Sequence, residues 1–566
     1  MNRMFAIGLV VVLGACGQSP DPETDVFASH STDRWEVERH IREVVPALSW
    51  IQERLVARST LGGPYTALLK KGAPSLFSVL KRIRRFEFHV EKAVLDTEGG
   101  RLDVLVSYEA LLSGDSIEAL EGLAHQLWER EASGDWVLKD WTARSERLVS
   151  APSFRFREVL GQRVDAKSAG FLRRSLHEEK VSSVLQGGVR PQHPLEFESF
   201  DRHPGVSIVD VDGNGWDDIY VMARWGKNQL LLNNQGRFTE AGEKWGLDLE
   251  NYSTSAVFAD FDNDGDPDLV VGRSLEESAL LENEKGRFQP PSLGSVPKLP
   301  RLVSSVSVVD FDGDGWLDIY FSTYAASLIE QVREAYDDQP ELAVQALSSF
   351  LGEDEAAELV EKVLSEDFHF YLQRPGPRNV LWKNEGGLSF REVALPNTLS
   401  VPLNTYQASW SDIDLDGDAD LYLANDFAHN HLFRNDGEAG FTDITQETGT
   451  EDFGFGMGVS WGDYDRDGRF DLYVSNMYSR AGRRMTEGLE NSDPRISKAA
   501  RGNSLFRNGP NGFERVSGLE KGLLVEKAGW AWGGQFLDVN NDGWQDLYVP
   551  NGYYSAPDEV AVEHDT

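Results

Sequence analysis

The sequence predicts a mainly β chain: a six- or seven-bladed β-propeller with calcium-binding loops and a helical insertion, preceded by a smaller α+β domain. Two observations carry this expectation. First, an acidic nonapeptide of the form D-x-[DN]-x-[DN]-G-x-x-D occurs six times, beginning at Asp210, Asp260, Asp310, Asp412, Asp463 and Asp538. The spacings of 50, 50, 102, 51 and 75 residues centre on the length of one propeller blade. Second, each loop lies between apolar strands and is followed by a hairpin, so four short strands recur in each full unit.

The strand pattern is the same in successive units. A leading strand such as Val206–Val209, Ala256–Ala259 or Val306–Val309 runs into the loop, and a strand such as Ile219-Tyr-Val221, Leu269-Val-Val271 or Leu472-Tyr-Val474 leaves it. A third strand and turn then recur as Leu230–Phe238, Leu280–Phe288, Leu381–Phe390, Leu432–Phe441 and Leu505–Phe513, with the Asn and Gly residues that positive-φ hairpin turns require. The sixth unit has no outer strands in this reading. Residues 195–200, Leu-Glu-Phe-Glu-Ser-Phe, are expected to supply a strand that closes the ring and covers a sheet edge.

Within the loops, five positions are candidate metal ligands. Position 1 is Asp210, Asp260, Asp310, Asp412, Asp463 and Asp538; position 3 is Asp212, Asp262, Asp312, Asp414, Asp465 and Asn540. Position 5 is Asn214, Asp264, Asp314, Asp416, Asp467 and Asp542, and position 9 is Asp218, Asp268, Asp318, Asp420, Asp471 and Asp546. Position 7 (Trp216, Asp266, Trp316, Asp418, Arg469, Trp544) has no fixed chemistry, as expected of a residue offering only its carbonyl. Glycine at position 6 allows the sharp turn. Hard oxygen ligands in a flexible loop suit Ca²⁺ rather than zinc or copper. An EF-hand is excluded, because position 12 is Val221, Val271, Phe321, Leu423, Val474 and Val549 where that loop needs a bidentate Glu. A solvated Asp/Gly turn that binds nothing is the alternative for any single copy. Six copies in one register, with carboxylates converging against their own repulsion, favour the metal. Asn214 and Asn540 each weaken one loop by a charge.

Charge bounds the partners. The net charge is −38, and 22 of the carboxylates sit at the four side-chain ligand positions. Six bound Ca²⁺ would offset part of this charge and leave an acidic protein, so nucleic acid is excluded as a partner.

Residues 1–15 read as a lipoprotein signal: Arg3 is basic, Phe5–Leu13 is apolar but short, and small residues precede Cys16, the one cysteine of the chain. The sequence Leu13-Gly-Ala-Cys16 resembles a bacterial lipobox, which implies lipidation at Cys16. Gly17 after it implies an outer-membrane destination in a Gram-negative bacterium. Residues 16–33 are polar with two prolines and read as the lipidated tether.

Residues 34–150 are expected to form the α+β domain. Trp35–Leu55 and Thr66–Ile83 are helical in pattern; Phe86, Phe88 and Val90 alternate with polar residues, as do Leu102, Val104, Val106 and Tyr108, and Trp136–Thr142 is a third candidate strand. Helices followed by a curved sheet resemble the NTF2-like cone, a fold that often holds a pocket. His89 and His125 are read as surface or packing residues before pocket residues. Residues 151–193 form the linker, and the propeller occupies 194–566.

Two insertions interrupt the propeller. Residues 327–367 are helical, with Leu359, Val360, Val363 and Leu364 on one apolar face and Leu347, Phe350 and Leu351 on another; they are expected to cap one face of the ring. Residues 478–502 carry Arg480, Arg483, Arg484, Arg495, Lys498 and Arg501 in an otherwise acidic chain. They read either as a solvated loop paired to neighbouring acids or as a site for an anionic group such as a carboxylate or sulfated sugar.

The six loops, Ala424-Asn-Asp-Phe427, Ser475-Asn-Met-Tyr-Ser479 and the Leu-Phe-Arg-Asn hairpins together resemble the FG-GAP/VCBS-type β-propeller family. They resemble most its bacterial branch related to the cartilage acidic protein family, over residues 194–552. The resemblance implies a calcium-stabilised extracellular platform for adhesion or ligand binding. It also implies an ASPIC/UnbV segment after the last blade, which is not read in this sequence. The function expected is therefore a cell-surface lipoprotein that binds an extracellular protein or glycan without catalysis. The alternative is a propeller that degrades polysaccharide as a lyase or hydrolase. No H-E-x-x-H motif, no G-x-S-x-G motif and no cysteine placed as a nucleophile is read in support of it. A third reading gives ligand binding to the N-terminal domain.

Overall fold

The computed structural model describes residues 63–96, 100–113, 117–151, 159–172, 205–292, 294–336, 338–365, 372–394, 398–478, 494–510, 512–518 and 524–551, with residues 44, 51, 174, 176 and 179. The signal, Cys16, the tether, residues 195–200 and Arg480, Arg483 and Arg484 lie outside them. The described chain divides into two units, one within residues 14–158 together with 494–500 and one comprising 159–478 and 501–551.

In the first unit, helix Gly63–Gly72 is followed by helix Pro74–Val79 and a short 3-10 turn. Pro74 separates the two helices because a ring without an N–H is tolerated only in a first turn. Four long strands follow, Ile83–Leu95, Arg101–Leu112, Ile117–Arg130 and Trp136–Ala151, paired antiparallel in chain order. One face of the sheet, including Phe86, Phe88, Val90, Val104, Tyr108, Ala124, Trp128 and Trp141, is buried with the helices. His89 and His125 alternate onto the other face, and His125 lies 3.3 Å from Asp103. A polar group ties the helices to the sheet. The Glu146 carboxylate accepts the N–H groups of Ser75 and Leu76 at 3.0 and 2.9 Å, capping the second helix, and the Tyr108 hydroxyl at 2.8 Å. The strand Ile117–Arg130, with its broken alternation around Glu121 and Gly122, has no clear period-2 signal in sequence.

The second unit is the β-propeller. Among the described residues its five full blades each have four antiparallel strands in chain order, and in the fourth a further strand, Phe453–Phe455, pairs with the second. They comprise Val206–Val209, Asp218–Val221, Gln229–Asn234 and Arg237–Glu240; Ser253–Ala259, Asp268–Arg273, Ala279–Asn283 and Phe288–Gln289; Val303–Val309, Asp318–Thr323, Val380–Asn384 and Phe390–Glu392; Asn404–Ser411, Asp420–His429, His431–Asn435 and Phe441–Asp443; and Gly458–Gly462, Asp471–Ser475, Ser504–Gly509 and Gly512–Arg515. The sixth repeat contributes Gln535–Leu537 and Asp546–Tyr548. The first strand of each repeat packs beside the first strand of the next, which sets the blades side by side around an axis. Every acidic loop joins the first and second strands of its blade, so all six lie at the same end of the blades.

Apolar side chains fill the spaces between blades. Tyr220 packs with Leu269 and Val271, Tyr320 with Leu421 and Leu423, Tyr422 with Leu472 and Val474, and Tyr473 with Val549. The buried tyrosines also satisfy the chain that crosses to the next blade: Tyr220, Tyr320 and Tyr422 donate to the carbonyls of Leu247, Leu399 and Thr450 at 3.0, 2.7 and 3.3 Å. At the two ends of the series the pattern breaks. Val206 and Ile208 on the first strand, and Leu537 and Tyr548 in the last repeat, are exposed among the described residues.

The insertion after the third blade's second strand forms helices Ala326–Tyr336, Pro340–Leu351 and Glu353–Val363. Leu328, Ile329, Val332, Leu347, Leu359, Val360 and Val363 are buried together with Leu275 and Leu302. Those two leucines adjoin the ends of strands remote from the acidic loops, so the helices cover the second and third blades at the opposite end. Gly352, at φ 89°, makes the sharp joint between the last two helices.

Glycines near the inner strands mark close packing rather than a channel lining. A Cβ on Gly458 would stand 2.8 Å from the Gly533 backbone of the next repeat, and one on Gly534 2.2 Å from the Tyr473 ring. Backbone cannot retreat as a side chain tip can. Gly458→Ala should therefore lower unfolding free energy by about 1–3 kcal/mol, measured by urea denaturation, whereas Gly533→Ala, with open space at its Cβ, should cost less.

Candidate metal centres in the acidic loops

Each loop is folded by its own carboxylates. The position-1 aspartate accepts the N–H of position 5 through Oδ1 and that of Gly at position 6 through Oδ2; in the first loop these are Asn214 and Gly215 on Asp210, at 3.0 and 2.7 Å. The same pair recurs on Asp260, Asp310, Asp412, Asp463 and Asp538. Position 5 accepts the position-7 N–H, as from Trp216 to Asn214 at 2.8 Å and from Trp544 to Asp542 at 2.9 Å. Position 7 thus takes part through its backbone, in keeping with its variable side chain. Trp216 and Trp544 are exposed, and the Arg466 guanidinium lies 5.1 Å from the Trp544 ring centre.

The position-9 aspartate is the anchor. Asp218, Asp268, Asp318, Asp420 and Asp471 are buried. Their Oδ2 atoms accept the position-2 N–H of Val211, Phe261, Phe311, Ile413 and Tyr464 at 2.9–3.1 Å. Their Oδ1 atoms accept the N–H of Asn233, Asn283, Asn384, Asn435 and Asn508 on the third strand at 2.6–2.8 Å. In the sixth loop Asp546 keeps the first bond, from Val539 at 3.2 Å, and is less buried.

Those asparagines carry a role beyond the hairpin turn. Asn384, Asn435 and Asn508 donate through Nδ2 to the position-2 carbonyls of Phe261, Phe311 and Ile413, each in the loop of the preceding blade, at 2.8, 2.8 and 3.2 Å. Their recurrence five or six residues before the hairpin Phe was visible in the sequence; the partner, more than ninety residues away, was not.

This framework brings position-1, position-3 and position-9 oxygens within 4.8 Å of one another in five loops: Asp210/Asp212/Asp218, Asp260/Asp262/Asp268, Asp310/Asp312/Asp318, Asp412/Asp414/Asp420 and Asp463/Asp465/Asp471. Three carboxylates gathered at one point are a hard-cation environment, and this oxygen ligand set fits Ca²⁺. In the sixth loop Asn540 replaces one carboxylate. Burial, opposed by the two backbone N–H groups and reinforced by the neighbouring carboxylates, raises Asp268, Asp318 and Asp471 to about 7 and Asp420 to about 6.

The residues of the basic insertion that are described lie apart in role. Arg495 and Lys498 are on helix Pro494–Ala499, whereas Arg501 bridges to Tyr478 and lies 3.6 Å from Glu526.

Residues 210–271 and 412–474 match the FG-GAP-like repeat. The chain carries FG-GAP-like repeats. Cartilage acidic protein 1 of Xenopus tropicalis is 37% identical over 59 residues, which are 10% of this chain and 9% of that protein. The chain thus matches less than a tenth of the length of this relative. Among solved structures, an arginine-to-alanine triple mutant of AofleA from Arthrobotrys oligospora is similar at 10% identity with a TM-score of 0.29, over 77% of this chain and 90% of that one. An ancestral GH74 enzyme is similar at 9% identity with a TM-score of 0.24, over 83% and 73%.

One further string was missed in the sequence. Gly458-Val-Ser-Trp-Gly462 has the G-x-S-x-G spacing of a nucleophile serine, but it is one continuous strand in the fifth FG-GAP-like blade. A nucleophile elbow needs a strand-to-helix turn; here Ser460 Oγ accepts the Phe536 N–H at 3.4 Å across to the next repeat.

Two predictions follow from the anchor. Asp318→Ala strands the N–H groups of Phe311 and Asn384, at about 1–3 kcal/mol for each, and should lower the urea midpoint clearly more than Asp314→Ala. The raised position-9 carboxyls give calcium-free protein a pH dependence. A folded pKa above the unfolded value stabilises at low pH, and the contribution is lost as pH rises through about 6 to 7. Metal-free protein should melt higher near pH 5 than near pH 8, and saturating Ca²⁺ should flatten or reverse that slope in thermal scans.

Proposed function

We propose that this protein is a cell-surface lipoprotein whose calcium-stabilised β-propeller is a non-catalytic platform for an extracellular protein or glycan. The observation that carries the reading is the gathering of three carboxylates at one point in each of five loops, all at one end of the blades. Calcium there is structural: it neutralises converged charge and fixes the turn between the first two strands, and with it the surface that the turns present. Weak extracellular calcium sites, with Kd on the order of 10⁻⁴ to 10⁻³ M, fit such a role.

The lipid anchor rests on the sequence around Cys16, and an outer-membrane location on Gly17. Among the described residues no helix is long and apolar enough to cross a membrane. Trp216, Leu415, Phe470 and Trp544 are exposed within the acidic loops. Exposed apolar and aromatic groups at the rim of a rigid scaffold are suited to contact with a sugar face or a protein surface.

The first experiment is a melting curve across a calcium titration, with EDTA and magnesium controls. A rise of more than about 5 °C, on the order of 6 kcal/mol for a chain of this size at about 2.1 cal/mol/K per residue, at submillimolar to millimolar Ca²⁺ and unmatched by Mg²⁺ is expected. An unchanged curve would remove calcium from the account. A glycan array read in calcium and in EDTA, with a product assay on the bound polysaccharides, then separates binding from degradation.

A further inference from the structure

The five gathered loops differ at one neighbouring position, which lies on the third strand immediately before the anchoring asparagine. It is Leu232, Glu282, Lys383, Arg434 and Arg507 in the five blades. The N–H of the next residue is held by the position-9 aspartate in every blade, so this side chain has the same register beside each loop.

In the third blade the Lys383 ammonium bridges the loop, contacting Asp312 and standing 2.9 Å from Asp314. The fifth blade repeats the arrangement with Arg507, which contacts Asp465 and stands 3.5 Å from Asp467. Both cations therefore hold the position-3 and position-5 carboxylates of their own blade. The fourth blade does not: Arg434 turns to Asp436 at 2.7 Å, on the hairpin. The first blade has a neutral side chain there. In the second blade Glu282 adds a like charge that acts on Asp262.

We propose that Lys383 and Arg507 are resident counter-ions that hold the third and fifth loops together at low calcium and compete with the metal for them. The inference rests on the reading of these loops as calcium sites. Its consequence is an order of filling. The second loop, with the extra carboxylate, fills first; the first and fourth follow; the third and fifth fill last, because the ion must displace an ammonium or guanidinium. A group outside the ligand set thereby tunes affinity through charge. The propeller would keep two of its blades closed when calcium falls, while the loops without a resident cation open.

Equilibrium dialysis of the full chain against radioactive calcium, from about 10⁻⁶ to 10⁻² M free ion, tests this. The wild-type protein is expected to bind in at least two classes. In the double variant Lys383→Gln/Arg507→Gln, two equivalents should move from the weak class to the tight one, a gain of about tenfold or more. Lys383→Arg/Arg507→Lys should behave as wild type, and Glu282→Gln should weaken one tight equivalent. Calcium binding by wild type that the double variant leaves unchanged at every concentration would overturn the proposal while the calcium reading stood. Binding by neither protein would remove the calcium reading, and the proposal with it. Melting curves guard against a folding defect. A double variant destabilised in EDTA and restored by calcium supports resident counter-ions. Equal destabilisation in both conditions identifies the two side chains as ordinary packing and overturns the proposal.

Discussion

The structure depends on a buried carboxylate placed between two backbone amides. In each of five blades the position-9 aspartate accepts one N–H from the start of its own loop and another from the third strand. One side chain thereby joins the acidic loop, the second strand on which it sits and the hairpin beyond. Such a group is expensive to bury alone and strongly held once both oxygens are satisfied. Because it is fixed, the position-1 and position-3 carboxylates of the same loop have no way to spread apart without breaking the turn. The gathering of carboxylates is in this sense a by-product of how the blade is tied.

The ties also run between blades. The asparagine that donates its N–H to the anchor sends its side chain to the loop carbonyl of the preceding blade in three instances, and the inter-blade tyrosines hold the crossing segments. Loop geometry, hairpin geometry and blade packing are therefore coupled through a few polar groups inside an otherwise apolar interface. Calcium bound in the loop would act on the whole blade for this reason, and not on an isolated turn.

Much of the architecture was legible in the sequence because the repeat is periodic. Six registers of the same nonapeptide located the loops, and alternating apolar residues located most strands, including Phe86–Val90 and Leu102–Tyr108. Two kinds of feature were not legible. The strand Ile117–Arg130 interrupts its own alternation, with Gly122 giving way to the Tyr108 ring, which a Cβ there would meet at 2.1 Å. Long-range polar partners leave no local pattern: Asn384 reads as a hairpin residue until its amide is found on Phe261, and Lys383 reads as a solvated strand residue until its ammonium is found on Asp312 and Asp314. The asparagine's neighbour was the informative position, and only comparison of blades in three dimensions makes its five identities comparable.

A second polar cluster shows that the end remote from the loops is built on a different principle. Tyr324 donates to Asp426 at 2.6 Å, and Arg374 donates its backbone N–H to the Phe427 carbonyl at 3.2 Å while its guanidinium lies 5.1 Å from the Phe427 ring centre. Phe427 has φ 57°, at a register shift where the strand Phe453–Phe455 joins the fourth blade. Tyr324 leads into the helical insertion and Arg374 leads out of it, so this network pins both of its ends to the fourth blade. Here the charge is compensated within the protein, by an arginine and a tyrosine, and the surrounding surface is covered by helices. At the loop end, among the described residues, Lys383 and Arg507 compensate the loop carboxylates in the third and fifth blades. The carboxylates left without a side-chain counter-charge therefore gather at one end of the propeller, which is also the end where Trp216, Leu415, Phe470 and Trp544 stand exposed.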